Sequence, residues 1–150
     1  MTIASPPPAH PEPRSSDPAQ KPIQDYVDAV NRADTEAIKH VLVPPDRLRK
    51  AVTCKPGPHD MISDLEHELA ALDAQTSQLG GVHFELLKVR QLESRTVAVG
   101  DAIGNCTAAE PFETRTLSWS RRATTPHGTG DGSETSYVVA LDGTWYMLPL

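Results

Sequence analysis

The sequence predicts an α+β domain in which N-terminal helices pack on a strongly bent antiparallel sheet. Three observations carry that prediction. Apolar residues recur at helical spacing through the first half of the chain, the period shifts toward two from Val82 onward, and the connections between the strand-like runs are too short for crossover helices.

Of the 150 residues, 14 are proline, and seven of those fall in the first 22 positions with almost no apolar residues between them. Residues 1–22 are therefore expected to form a disordered or polyproline-II-like tail, and residues 23–150 a single domain with room for one core. Ile23, Tyr26, Val27 and Val30 then share one face of a helix. The stretch from Asn31 to Asp34 interrupts that face; Asp34 can accept from unpaired amides of a next turn, and Glu36 adds negative charge where the helix dipole favours it. A second helix buries Ile38, Val41 and Leu42 and ends at Pro44 and Pro45, which cannot extend a helical ladder.

Asp46 to Thr53 reads equally as a helical turn or a strand. Pro56, Gly57 and Pro58 force a turn. The longest helix follows, from His59 or Asp60 to about Leu79, with Met61, Ile62, Leu65, Leu69, Leu72, Thr76 and Leu79 as its stripe and Gly80 and Gly81 as its stop. That stripe is expected to face the sheet.

Five strands are read beyond it: Val82 to Leu92, Arg95 to Ile103, Phe112 to Ala123, Thr135 to Asp142, and Thr144 to Leu148. Glu93 with Ser94, and Asp142 with Gly143, are read as tight reversals. The stretch from His127 to Ser133 is a hairpin tip, since it lacks the lysine and the following helix that a phosphate loop requires. In the run from Arg95, Asp101 alternates onto one face with Val97, Val99 and Ile103, and the glycines between them suit a sharp bend.

Tyr26, Asn31 and Asp34 at the helical corner, Ile38 on the second helix, and the later order of a helix followed by long strands ending in DGTWYMLPL resemble the NTF2-like superfamily. The resemblance spans Ile23 to Leu150. It implies a cystatin-like cone with a pocket between the helices and the concave sheet, as in SnoaL-type cyclases and ketosteroid isomerases, and a sheet face on which members often form homodimers. In the isomerases a first-helix tyrosine polarises the substrate oxygen and a later aspartate removes the proton. Tyr26 matches that tyrosine, whereas Lys50 stands at the aspartate position, so the isomerase mechanism lacks its base.

Composition narrows the function classes. The formal charge is −6, and the one basic cluster, Arg47, Arg49, Lys50 and Lys55, lacks interleaved aromatics, which disfavours nucleic acid. No apolar run approaches the roughly 20 residues that span a bilayer. As written the chain is expected to be cytoplasmic, or exported or anchored if an N-terminal signal has been removed. Cys54 and Cys106 either form one internal bridge or remain two thiols.

The candidate ligand-binding residues are Tyr26, His83, Asp101 and Trp119, with Asp101 and Tyr26 as the candidate catalytic pair. Arg115, Leu117, Trp119 and Arg121 share a strand face that lines either a pocket or an ordinary core, and Trp145 is read as closing the core. His59, Asp60, Asp64 and His67 fall on adjacent turns of one helix, but no HExxH-type motif accompanies them, and no metal or cofactor is expected. Ser63, Ser118 and Ser120 show no nucleophile elbow. The favoured function is a non-catalytic module that binds a small hydrophobic molecule or a protein partner. The alternative is a SnoaL-like enzyme performing proton transfer through Asp101.

Overall fold

A computed structural model describes residues 17–57, 60–78 and 81–149. The tail expected over residues 1–16, His59 at the expected helix start, the Thr76 side chain, the Leu79–Gly80 helix stop and Leu150 lie outside the described residues.

Order begins earlier than Ile23. Pro18–Gln20 is a 3₁₀ turn, capped by the Asp17 carboxylate accepting from the Ala19 N–H at 3.1 Å, and it runs directly into α1, Lys21–Asn31. Residues 17–22 therefore belong to the domain, and Ala19 is completely buried. Pro18 and Pro22, which look like tail in the sequence, sit at helix starts, where a missing N–H costs nothing. Arg115 ties this entry to the sheet by donating to both Asp17 carboxylate oxygens at 3.0 and 3.2 Å.

The corner forms where the chain chemistry places it. Ala33 takes a left-handed φ of 49°; its N–H donates to Val30 O and that of Asp34 to Ala29 O, both at 3.0 Å, which closes α1. The Asp34 carboxylate then accepts from the Ala37 N–H at 3.1 Å and starts α2, Thr35–Val41. The ambiguous stretch resolves into both readings: α3 is Pro45–Ala51 and β1 is Val52–Cys54. In α4, Met61–Gln78, Asp60 caps the first turn by accepting from the Ser63 N–H at 2.8 Å.

The strands depart from the sequence reading first in the opening long strand and the turn after it. His83–Val97 is one continuous strand, β2, and the reversal expected at Glu93 and Ser94 is absent. Its register against the next long strand shifts between Leu86 and Lys88 and again between Gln91 and Glu93. These irregularities bend the strand, and the second falls at Leu92, directly before the Glu93 and Ser94 that suggest a turn. The chain reverses instead after Val97, at Gly100 with φ 90°. Of the strand expected from Arg95 to Ile103, residues 95–97 end β2 and Ala102–Ile103 form the short β3, which pairs with β4, Cys106–Ala108.

The last three strands are β5, Phe112–Thr125, β6, Gly128–Leu141, and β7, Thr144–Leu148. The hairpin tip is shorter than expected, because residues from Gly128 already pair with β5. Asp142 and Gly143 take φ of 54° and 78°, the two-residue turn with both central residues left-handed that suits the twist of a β-hairpin. The main sheet has the antiparallel order β2-β5-β6-β7, and a smaller sheet has the order β1-β4-β3.

Two apolar clusters hold these layers. Ile23 and Val27 of α1 meet Leu117, Trp119 and Val138 of the main sheet. Leu65 and Leu72 of α4 join Ile38, Leu48, Val97, Ile103, Phe112 and Val139. Cys54 and Cys106 stand opposite one another across β1 and β4 and are joined by a disulfide. Arg47 of α3 closes the base by donating to Asp142 at 2.7 Å and to Glu110.

Candidate functional site

Tyr26 lies on the turn of α1 that leans over β5. Its ring meets Trp119 edge-on, with centroids 6.2 Å apart and planes at 73°. Trp119 is buried and donates its indole N–H to Ser136 Oγ at 2.9 Å, so its ring is fixed across the β5–β6 pair. Tyr26 is half-buried, and its hydroxyl has no hydrogen-bond partner among the described residues. Burial pushes the Tyr26 phenol above its ordinary value of 10.0, the carboxylates of Glu68 and Glu134 push it the same way, and Arg121 opposes them. It is therefore a neutral hydroxyl near neutral pH, able to donate or to accept.

Arg121 faces the same space. Its guanidinium lies over the Phe84 ring at 4.7 Å and donates to Glu134 at 2.9 Å. This cation is both paired and stacked, which suits a planar guanidinium at a half-buried aromatic surface. Arg115, further along the strand, lies over Trp145 at 5.0 Å.

Two adjoining cavities open at Tyr26. One, of about 280 Å³, lies among Val27, Val30, Phe84, Trp119 and Arg121. The other, of about 440 Å³, lies among Ile38, Leu42, Glu68, Leu72 and Tyr137. Tyr26, Ser136 and Met147 line both. A larger depression of about 550 Å³ lies on the other side of α1, between Lys21, Asp28, His40 and Trp145. Its lining mixes charged side chains with prolines and Trp145, whereas the Tyr26 cleft gathers several aromatic and aliphatic walls around a few polar groups, the usual make-up of a small-molecule site.

Among solved structures, the chain is similar to an NTF-2 like protein of unknown function from Shewanella oneidensis MR-1, with a TM-score of 0.50 and 14% identity over 89% of this chain and 93% of that one. The fold is NTF2-like. Similarity also extends to a Sec-C motif-containing protein from Psychrobacter arcticus, at TM-score 0.45 and 13% identity over 92% of this chain and 62% of that one. The intermembrane space region of the chloroplast protein ARC6 gives TM-score 0.47 and 10% identity over 92% of this chain and 95% of that one. No family model matches the chain, and no curated protein matches it in sequence.

Within this NTF2-like cone the expected site residues separate. Tyr26 and Trp119 come together at the cleft. Asp101 does not join them: it sits in the turn after β2, where its carboxylate accepts from the Ala98 N–H at 2.9 Å and its backbone carbonyl accepts from the Ala108 N–H at 2.9 Å. Val99, expected to share a core-facing side with Asp101, is 64% exposed. The alternation that put both on a core face fails because the strand ends at Val97. His83 is exposed at the start of β2, opposite Thr124, and its neighbour Phe84 lines the cleft instead.

Sequence reasoning missed Glu68, Glu134 and Ser136. Glu134 and Ser136 become visible only through strand register, since Trp119 pairs with Glu134 and Leu117 with Ser136. Glu68 belongs to the polar face of a long helix, and nothing in its spacing separates it from Glu66.

Proposed function

We propose that this NTF2-like domain is a non-catalytic binding module for a small, largely apolar molecule held beside Tyr26, between α1, α4 and the β5–β6 pair. The observation that carries the proposal is the Tyr26 hydroxyl, which stands at the junction of two cavities with no hydrogen-bond partner among the described residues. A half-buried polar group of this kind is satisfied by water or by a ligand, and a ligand that replaces the water gains orientation as well as apolar contact. The non-catalytic part is supported by Asp101, whose carboxylate is engaged in a turn outside the cleft. The Cys54–Cys106 bridge supports work in an oxidising compartment, where such bonds persist, over the cytoplasm.

The test is native mass spectrometry of the full chain from its own host, followed by NMR of the Trp119 indole N–H as the released molecule is added back. The expected result is a mass adduct lost on denaturation and a shifted Trp119 signal. Protein without an adduct, and an indole signal unmoved by a panel of apolar small molecules, would overturn the proposal.

A further inference from the structure

Glu68 is the polar group in the cleft whose charge is left unanswered. It is half-buried on α4 and lines the larger cavity with Leu72, Tyr137 and Met147. Among the described residues it has no ion pair or hydrogen bond. The cleft's other carboxylate, Glu134, is already matched by Arg121 at 2.9 Å, and Arg121 is further committed to the Phe84 ring. On the same helix Glu66 is matched by Arg49, and Asp73 lies 3.9 Å from Lys39. The pairing pattern thus leaves one negative charge facing the cavity beside two tyrosine rings. An ammonium group is attracted both by a carboxylate and by aromatic faces. A carboxylate or phosphate ligand would instead meet Glu68 as a like charge.

We infer that the ligand of this cleft is an organic cation, an apolar amine whose ammonium group pairs with Glu68 while its hydrocarbon body lies against Ile38, Leu72 and Met147. The inference rests on the binding role proposed above and adds the ligand's charge. Tyr26 keeps its proton across the neutral range, because burial and the two carboxylates both hold it there, and it is free to contact the same ligand.

The experiment uses the full chain, disulfide intact, and calorimetric titration with three molecules of like shape: naphthylmethylamine, naphthylmethanol and naphthoate. The expected order is amine over alcohol by about tenfold or more, the size of one charge-assisted hydrogen bond, with naphthoate weakest. Glu68→Gln, which keeps the shape of the side chain, removes the amine's advantage and leaves the alcohol unchanged; Glu66→Gln on the solvent side of the helix changes neither. Equal binding of amine and alcohol, or an amine preference that survives in Glu68→Gln, overturns the inference and leaves the binding role standing. If none of the three binds, the binding role falls and the inference falls with it.

Discussion

Asn31 holds both backbone groups of Phe84. Its carboxamide oxygen accepts from the Phe84 N–H at 2.7 Å, and its carboxamide nitrogen donates to the Phe84 carbonyl at 2.7 Å. The end of α1 thus acts as a one-residue extension of the sheet at the free edge of β2, and it fixes the distance between Tyr26 on the helix and Phe84 on the strand. Few residues can do this, because the side chain must offer a donor and an acceptor in one plane.

Asn31→Leu keeps the approximate shape but removes both bonds and leaves two Phe84 groups unpaired in a partly buried place. The expected loss is about 2–4 kcal/mol, read from urea denaturation. Asn31→Asp keeps the acceptor and turns a carboxylate oxygen toward the Phe84 carbonyl. It is expected to be nearly as damaging at neutral pH and to recover partly on acidification.

Asp101→Ala removes the bond to the Ala98 N–H and is expected to cost about 1 kcal/mol, with Asp101→Asn costing less because it retains an acceptor oxygen. Neither change should alter binding at Tyr26. A loss of ligand affinity in Asp101→Asn with an unchanged fold would return this aspartate to the site.

These positions also show how far the sequence could be read. The corner was legible because its determinants are local: an apolar stripe, a capping aspartate and two prolines. The expected reversal at Glu93 and Ser94 failed because a polar pair inside a long strand reads locally as a turn, and only its pairing with β5 separates the two. Asp101 was misplaced by the same error, since a strand that ends at Val97 no longer alternates through residue 101. That Tyr26 and Trp119 stand together was legible because large aromatics on predicted inner faces are few. Phe84, Glu134 and Ser136 were not, because their place depends on register between strands far apart in the chain.

Asp142 predicts an acid limb of stability. The Arg47 guanidinium, donating to it at 2.7 and 3.1 Å, holds its carboxyl below the ordinary value of 3.8. A carboxyl whose pKa is lower folded than unfolded contributes stability that is complete above the unfolded value and is lost as pH falls through the folded one. Asp142→Asn should therefore flatten the decline in thermal midpoint below about pH 4, where free carboxylates protonate, and should shift the midpoint at pH 7 only modestly. An unchanged acid limb would mean that other carboxylates set it.

Tyr26 predicts the opposite limb. Its phenol titrates above 10.0 in the folded chain, so its contribution is complete below that value and is lost as pH rises through the folded one. Tyr26→Phe should remove this part of the alkaline decline and one step, above 10.0, of the tyrosinate absorbance titration. At pH 7 it should change stability by less than about 1 kcal/mol, since the hydroxyl gives up no protein hydrogen bond.

The bridge between Cys54 and Cys106 closes a covalent ring around the 52-residue separation of its ends, and both α4 and all of β2 lie inside that ring. A protease that cuts the connection between α4 and β2 would open the ring without dividing the molecule. The nicked protein should run as one species on a denaturing gel and separate into two fragments only after reduction. Such a cut would test whether α4, the helix that carries Glu68, stays docked when it is held by packing and a distant cross-link, with its own connection to the sheet removed.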